Sequence, residues 1–297
     1  MRLAVTGREG QVAASLVEAA RGRDDVEVVA VGRPVLDLAR PGTVFAALEA
    51  ARPDIVVSAA AYTAVDQAED EKDLAFTVNA TGAGKVAEAA ARLGVPVIHL
   101  STDYVFDGTK DGAYVETDKT APLGVYGASK LAGEEAVAAA NPRHLILRTA
   151  WVYSPFGRNF VKTMLGLSLD RDEVSVVADQ WGNPTSALDI ADAILHAAAR
   201  LGDDRDFVGF GVYHVAGTGE TNWSGFARHI LDTSRELGGP HAIVRDIATK
   251  DYPTKARRPT NSRLSGVKFA GVFGWTAPEW REASDAVVAR IVADSAV

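Results

Sequence analysis

The chain has 297 residues, 47% of them hydrophobic, enough to build a large buried core in one large or two interlocked domains. A formal net charge of -8 argues against a nucleic-acid partner, so any anionic ligand must be met by a local cluster of Arg or Lys. There is no cysteine, which removes disulfides, thiolate nucleophiles and cysteine metal sites, and the histidines show no metal-ligand spacing, so no metal is expected. The opening "MRLAVTGREG" runs straight into a strand-like segment, and no apolar run approaches the roughly 20 residues of a membrane helix, so a cytoplasmic location without a membrane partner is expected.

Apolar runs then alternate with amphipathic stretches. "LAVTG" (3–7) reads as a strand, followed by a helix from about Gln11 to Arg21; "VEVVAVG" (26–32) is the next strand and "TVFAALEAA" the next helix. "DIVVSAAA" (54–61) reads as a third strand, with a long helix through "LAFTVNATGAGKVAEAAARLG" to Gly94. "VPVIHLST" (95–102) and "HLILRTAWVY" (144–153) read as strands with a helix on "VYGASK" between them. Unbroken Val/Ile/Leu runs suit strands covered on both faces, and the alternation predicts an α/β fold with a doubly wound parallel sheet of the Rossmann type. Beyond about 152 the pattern loosens, while "SALDIADAILHAAARL" (186–201) looks like a helix returning to the sheet. The expected organisation is a dinucleotide-binding domain over 1–152 plus that helix. A smaller, interleaved substrate domain takes the rest of 153–297.

"VTGREGQVAASL" places Gly7 and Gly10 in the first strand-to-helix turn, with Ala13 where a third glycine often stands. Glycine permits the tight turn and lets backbone approach a pyrophosphate at a helix N-terminus. An NAD site usually ends its second strand on an acidic residue, whereas this strand ends on Gly32-Arg33. Arg33 is therefore either a partner for a 2'-phosphate or an exposed loop arginine; Asp37 either bonds the adenine or caps a turn.

Tyr126 and Lys130 are four residues apart, which in a helix stacks them on one face. With seven tyrosines, roughly 0.2 such pairs are expected by chance, so the context decides. The pair follows the strand "VIHLSTDYVF", whose Thr102 offers a hydroxyl at the strand end. This arrangement resembles the extended short-chain dehydrogenase/reductase superfamily. Further segments narrow it: "SAAAYTAVDQAE", "STDYVFDG", "PLGVYGASKLAGE", "LRTAWVY", "NFVKTML", "DQWGNPT" and "RRPTNSRL". Together, in order and across nearly the whole chain, they resemble the dTDP-4-dehydrorhamnose reductase family. Members commonly carry Asn at the position of Ser58, His at Tyr62 and Gly at Ala13, departures that bear on cofactor packing.

The resemblance implies reduction of the 4-keto group of a dTDP-4-keto-6-deoxy-L-sugar by hydride transfer from NADPH, with NADH as the alternative cofactor. Tyr126, Lys130 and Thr102 form the implied catalytic group. A cation within about 4 to 6 Å lowers a phenol's pKa, so Lys130 is expected to prime Tyr126. The candidate cofactor contacts are Gly7, Gly10, Gln11, Val12, Arg33, Asp37, Leu38, Ala60, Ala61, Tyr62, Thr63, Tyr126 and Lys130. The candidate substrate contacts are Thr102, Asp103, Trp151, Asn159, Arg257 and Arg258, the arginine pair for the pyrophosphate with Lys162 as a weaker choice. A nucleotide sugar is the expected small-molecule partner, and a homodimer is left open. The rival readings are an epimerase or dehydratase of the same superfamily and a non-catalytic NADP-binding regulatory subunit. Tyr104 following Thr102-Asp103, where dehydratases typically carry Glu, favours the reductase; the retention of Tyr126 and Lys130 favours an enzyme.

Overall fold

The computed structural model describes residues 1–204 and 206–295. Six strands form one parallel sheet: β1 (Arg2–Thr6), β2 (Glu27–Val31), β3 (Ile55–Ser58), β4 (Val97–Thr102), β5 (His144–Thr149) and β6 (Gly211–His214). Their order is β6-β5-β4-β3-β1-β2. The connection reverses direction across the sheet between β1 and β3, which leaves a crevice beyond the carboxyl ends of these two strands.

Alternation along β1 shows why the strands read as continuous apolar runs. Leu3 and Val5 enter a core with Leu16, Ile98, Leu145 and the helix Ala187–Asp203. Ala4, between them, enters a second core with Val56, Leu48, Val86 and Val137, residues of helices on the other face. Both faces are therefore dry, as a parallel sheet requires. A third cluster gathers Tyr153, Val161, Met164, Phe226, Ile230 and Trp280 from the later part of the chain.

Two elements depart from the sequence expectation. The strand expected over 144–153 stops at Thr149: Trp151 takes a left-handed φ of 49°, and Val152–Tyr153 pairs instead with Thr185–Ser186. The long helix before Gly94 runs as Lys72–Phe76, a π-helical stretch over Thr77–Gly82, and Ala83–Arg92. Such widened turns re-aim side chains, and this one holds Asn79. The short strand β6 is not foreseen from the sequence, because Gly209, Gly211 and Gly217 break the apolar run "FVGFGVYHVAG" around it. Positions 205, 296 and 297 of the expected second domain lie outside the described residues.

Among the described residues, no helix is long and apolar enough to cross a membrane.

Candidate active site

The helix Val125–Ala140 carries Tyr126 and Lys130 past the end of β4, which carries Thr102. Two glycines let it come so close. A Cβ on Gly127 would stand 2.2 Å from the carbonyl oxygen of Tyr104, and one on Gly133 would stand 2.1 Å from that of Asn79. Asn79, buried in the π-helical stretch, donates from Nδ2 to the Ser129 hydroxyl and the Tyr62 carbonyl, and its Oδ1 accepts from Tyr62 N–H at 2.8 Å. It thus ties this helix to the loop after β3.

Tyr126 meets the Thr102 hydroxyl, whose hydrogen bond opposes burial; burial wins and pushes the phenol up to about 12. This corrects the expected priming by Lys130. The Lys130 ammonium donates to the carbonyl of Leu100 at 2.6 Å and faces Nε2 of His99 at 3.4 Å. Its own pKa is pushed down to about 8 by burial, with Glu134 acting the other way. His99 is held neutral, because burial and the neighbouring Lys130 drive its pKa well down; its Nδ1 lies 3.0 Å from the Ser58 hydroxyl. Ser58, a departure from the family pattern, is therefore part of the support beneath Lys130. Glu134 is bound bidentately by Arg148, at 2.9 and 2.6 Å, and accepts from Ser101. Both partners are almost fully buried, so neither can lose the other without leaving a buried charge.

Asp103 follows Thr102 and accepts its hydroxyl proton at 2.9 Å. Burial pushes the Asp103 carboxyl up to about 6, against the pull of the Ser262 and Thr102 hydroxyls. Its buried Oδ2 has no partner within hydrogen-bond geometry, although the Ser262 hydroxyl lies near the carboxyl. Such an orphan suits a sugar hydroxyl.

In the crevice, Gly7 adopts φ 97°, open to glycine at little cost, and Gly10 has nothing within 4 Å of where its Cβ would stand. Gly10 caps the helix Gln11–Ala19 without a side-chain bond, so the helix presents bare N–H groups, Val12 among them, at its start. Across from Gly7 lies Ala60, while the Thr6 hydroxyl accepts from Ala59 and Ala60 N–H and sets the path of the Ala60–Thr63 loop. Arg8, which the sequence reading passed over, packs its side chain 3.2 Å from the Cβ position of Gly32. That contact explains the glycine where an acidic residue would mark an NAD site. Arg33 is exposed beside it, and Leu38 is buried with its backbone against Gly82. Asp37 turns to Arg40 at 3.0 Å and to Ala39 N–H, the turn-capping alternative for this residue.

The substrate candidates divide. Trp151 stacks on Trp223 with centroids 3.6 Å apart and planes 10° from parallel, its indole 2.5 Å from a Cβ on Gly182. It is half-buried. Asn159 is occupied by the chain: Oδ1 caps the helix Phe160–Leu167 at Lys162 N–H, and Nδ2 donates to Gln11 Oε1 and the Ser154 carbonyl. Gln11 Oε1 likewise accepts from the Ser154 hydroxyl, linking the glycine turn after β1 to this segment rather than pointing freely into the crevice. Lys162 Nζ donates to the Pro155 carbonyl. Arg258 is held by Asp66 at 2.7 and 3.2 Å, a partner 192 residues away that local sequence could not reveal, whereas Arg257 is exposed.

Residues 1–293 match the family model described as RmlD substrate binding domain. The dTDP-4-dehydrorhamnose reductase of Sinorhizobium fredii is 52% identical over 288 residues, covering 97% of each chain. Among solved structures, the ortholog from Clostridium acetobutylicum superposes with a TM-score of 0.88 at 35% identity, covering 97% of this chain and 98% of its own. The enzyme from Bacillus anthracis, solved in complex with NADP, gives 0.88 at 34% identity, covering 96% and 98%. The family model spans nearly the whole chain and these relatives share its sequence and its Rossmann-type sheet, so the chain belongs to the dTDP-4-dehydrorhamnose reductase family of oxidoreductases.

Proposed function

We propose that the protein reduces the 4-keto group of dTDP-4-dehydrorhamnose, giving dTDP-L-rhamnose, with NADPH as cofactor and Tyr126 as proton donor. The observation that carries this reading is the meeting of the Tyr126 phenol with the Thr102 hydroxyl beside buried Lys130, at the carboxyl end of β4. The crevice residues fit a dinucleotide: left-handed Gly7, unobstructed Gly10 and an uncapped helix start provide a concave backbone surface for a pyrophosphate. Arg8 and Arg33 stand where a 2'-phosphate would be met. In this reading residues 1–152 with the helix Ala187–Asp203 hold the dinucleotide, and the later segments hold the sugar nucleotide.

The bound cofactor supplies the hydride. The protein's part begins with Thr102, whose hydroxyl rotates from Asp103 to the ketone oxygen when a sugar hydroxyl takes the Asp103 carboxylate. Tyr126, with its pKa near 12, is protonated at neutral pH and releases that proton only to a strongly basic oxygen, the one that forms as the carbonyl is reduced. Lys130, one turn along the helix and anchored on the Leu100 carbonyl, would bond the nicotinamide ribose of the bound cofactor. Trp151 packs against the deoxysugar and Arg257 meets the pyrophosphate.

Incubation with dTDP-4-keto-6-deoxy-L-lyxo-hexulose and NADPH tests the proposal. Loss of the reduced-nicotinamide absorbance with formation of dTDP-L-rhamnose is expected. Absence of turnover with this ketone would overturn the reading.

A further inference from the structure

The catalytic helix begins without a cap of its own: Gly124, its N-cap residue, has no side chain to bond the first free N–H groups. The bond comes from a distant segment. Oε1 of Glu69 accepts the N–H of Val125 at 2.8 Å, across 56 residues of chain. A Cβ on Gly124 would stand 2.6 Å from that same oxygen, so the glycine is what admits the carboxylate. Val125 immediately precedes Tyr126.

The segment bearing Glu69 is itself fixed at several points. Asp66 binds Arg258 and the N–H of Ala256, Asp70 binds Lys255, Glu71 accepts from the Tyr62 hydroxyl at 2.8 Å, and Ala68 is fully buried. Glu69 therefore holds the helix start from an anchored support, and its charge lies at the positive end of the helix dipole.

We propose that Glu69 is a positioning residue for Tyr126: its hydrogen bond to Val125 N–H sets the height and rotation of the first helical turn, and so the place of the phenol against Thr102. This rests on the reading of Tyr126 as proton donor. Glu69 touches the helix backbone, not the reacting atoms, so its loss misplaces the acid without removing a cofactor contact. A small misplacement of this kind costs turnover steeply.

The experiment compares Glu69→Ala, Glu69→Gln and Glu69→Asp with Tyr126→Phe, using the ketone and NADPH at saturation. Glu69→Ala should lower kcat by at least about tenfold while KM for NADPH stays within about twofold. Gln keeps an acceptor oxygen at the same reach and should recover kcat to within about threefold. Asp keeps the charge but is one methylene short, and should behave like Ala. Wild-type kcat in Glu69→Ala, with Tyr126→Phe inactive, would overturn the positioning role while leaving the acid assignment intact. Equal loss in Ala and Gln would overturn the hydrogen bond as its basis. Retained activity in Tyr126→Phe would overturn the acid reading and the positioning role with it. Should Glu69→Ala fail to fold, Gln and Asp decide: Gln active with Asp impaired upholds the role, and equal kcat in both overturns it.

Discussion

The carbonyl oxygen of Tyr104 stands 2.2 Å from the position a Cβ would occupy on Gly127, closer than any two such atoms can rest. The Tyr104 and Tyr126 rings meet edge to face with centroids 5.5 Å apart. The loop after β4 and the catalytic helix are thus in direct backbone contact, and this closeness brings Tyr126 to Thr102. Gly127→Ala should push the helix outward, costing about 1–3 kcal/mol of stability. The displaced phenol should lower kcat by at least about tenfold in protein that remains folded, measured by denaturant titration alongside steady-state rates. Wild-type kcat in that variant would show that the close approach does not serve the reaction.

Lys130 gives a pH dependence whose direction follows from burial. Its pKa is lowered to about 8, so the ammonium is present below that pH and lost as pH rises through it. With Lys130 acting as a cation on the bound cofactor, as proposed, kcat/KM for NADPH, which reports the free enzyme, should fall on the alkaline side with a midpoint near 8. Lys130→Met should remove this limb and lower the rate at every pH. A profile flat to well above 8 would place the ionisation elsewhere.

Asp103 links stability to pH in the opposite sense from a salt-bridged carboxylate. Its folded pKa is raised from 3.8 to about 6, so in that interval the folded state binds more protons than the unfolded chain. Stability attributable to this group is greatest below the interval and declines as pH rises through it. Asp103→Asn should therefore stabilise the protein at pH 7, by at most roughly 3 kcal/mol, and leave it unchanged near about pH 4. Activity should fall, because the carboxylate would no longer receive a sugar hydroxyl. Thermal midpoints of both proteins at the two pH values provide the check, and an equal effect at both would refute the buried-charge explanation.

The proposed contact of Arg8 and Arg33 with a 2'-phosphate predicts a preference for NADPH. Losing a charge-assisted phosphate contact costs about 1.5–3 kcal/mol, so Arg33→Ala should raise KM for NADPH by at least about tenfold and leave NADH little changed. Arg8→Ala should act in the same direction. Equal effects on both cofactors would mean that neither arginine reads the 2'-phosphate.

What the sequence disclosed and what it withheld divide along the range of the interactions. The strand β1, the glycine turn after it and the helix on "VYGASK" depend on residues close together in the chain, so periodicity and glycine spacing exposed them. The sequence places Trp151 at the end of a strand because "HLILRTAWVY" is mostly apolar. Its left-handed turn is held by Trp223 and by the space at Gly182, neither of which is adjacent in the chain. Arg258 looked free because Asp66 lies far upstream, and the cap on Val125 was hidden for the same reason. The raised pKa of Tyr126 was missed because its spacing from Lys130 shows proximity along a helix but not how much water burial removes. Asn79 is absent from the sequence candidates because the widened turn that aims it has no clear local signature.

The assignment of Tyr126 as proton donor is tested most directly by Tyr126→Phe, assayed with dTDP-4-keto-6-deoxy-L-lyxo-hexulose and NADPH, with NADPH binding measured in parallel. The change removes one hydroxyl and keeps the ring that packs on Tyr104, so folding and cofactor affinity should persist. A fall in kcat of about 10²–10⁴-fold with NADPH affinity unchanged is the predicted result. A variant that keeps more than about a tenth of the wild-type rate would contradict it, and the proton would then have to come from another group.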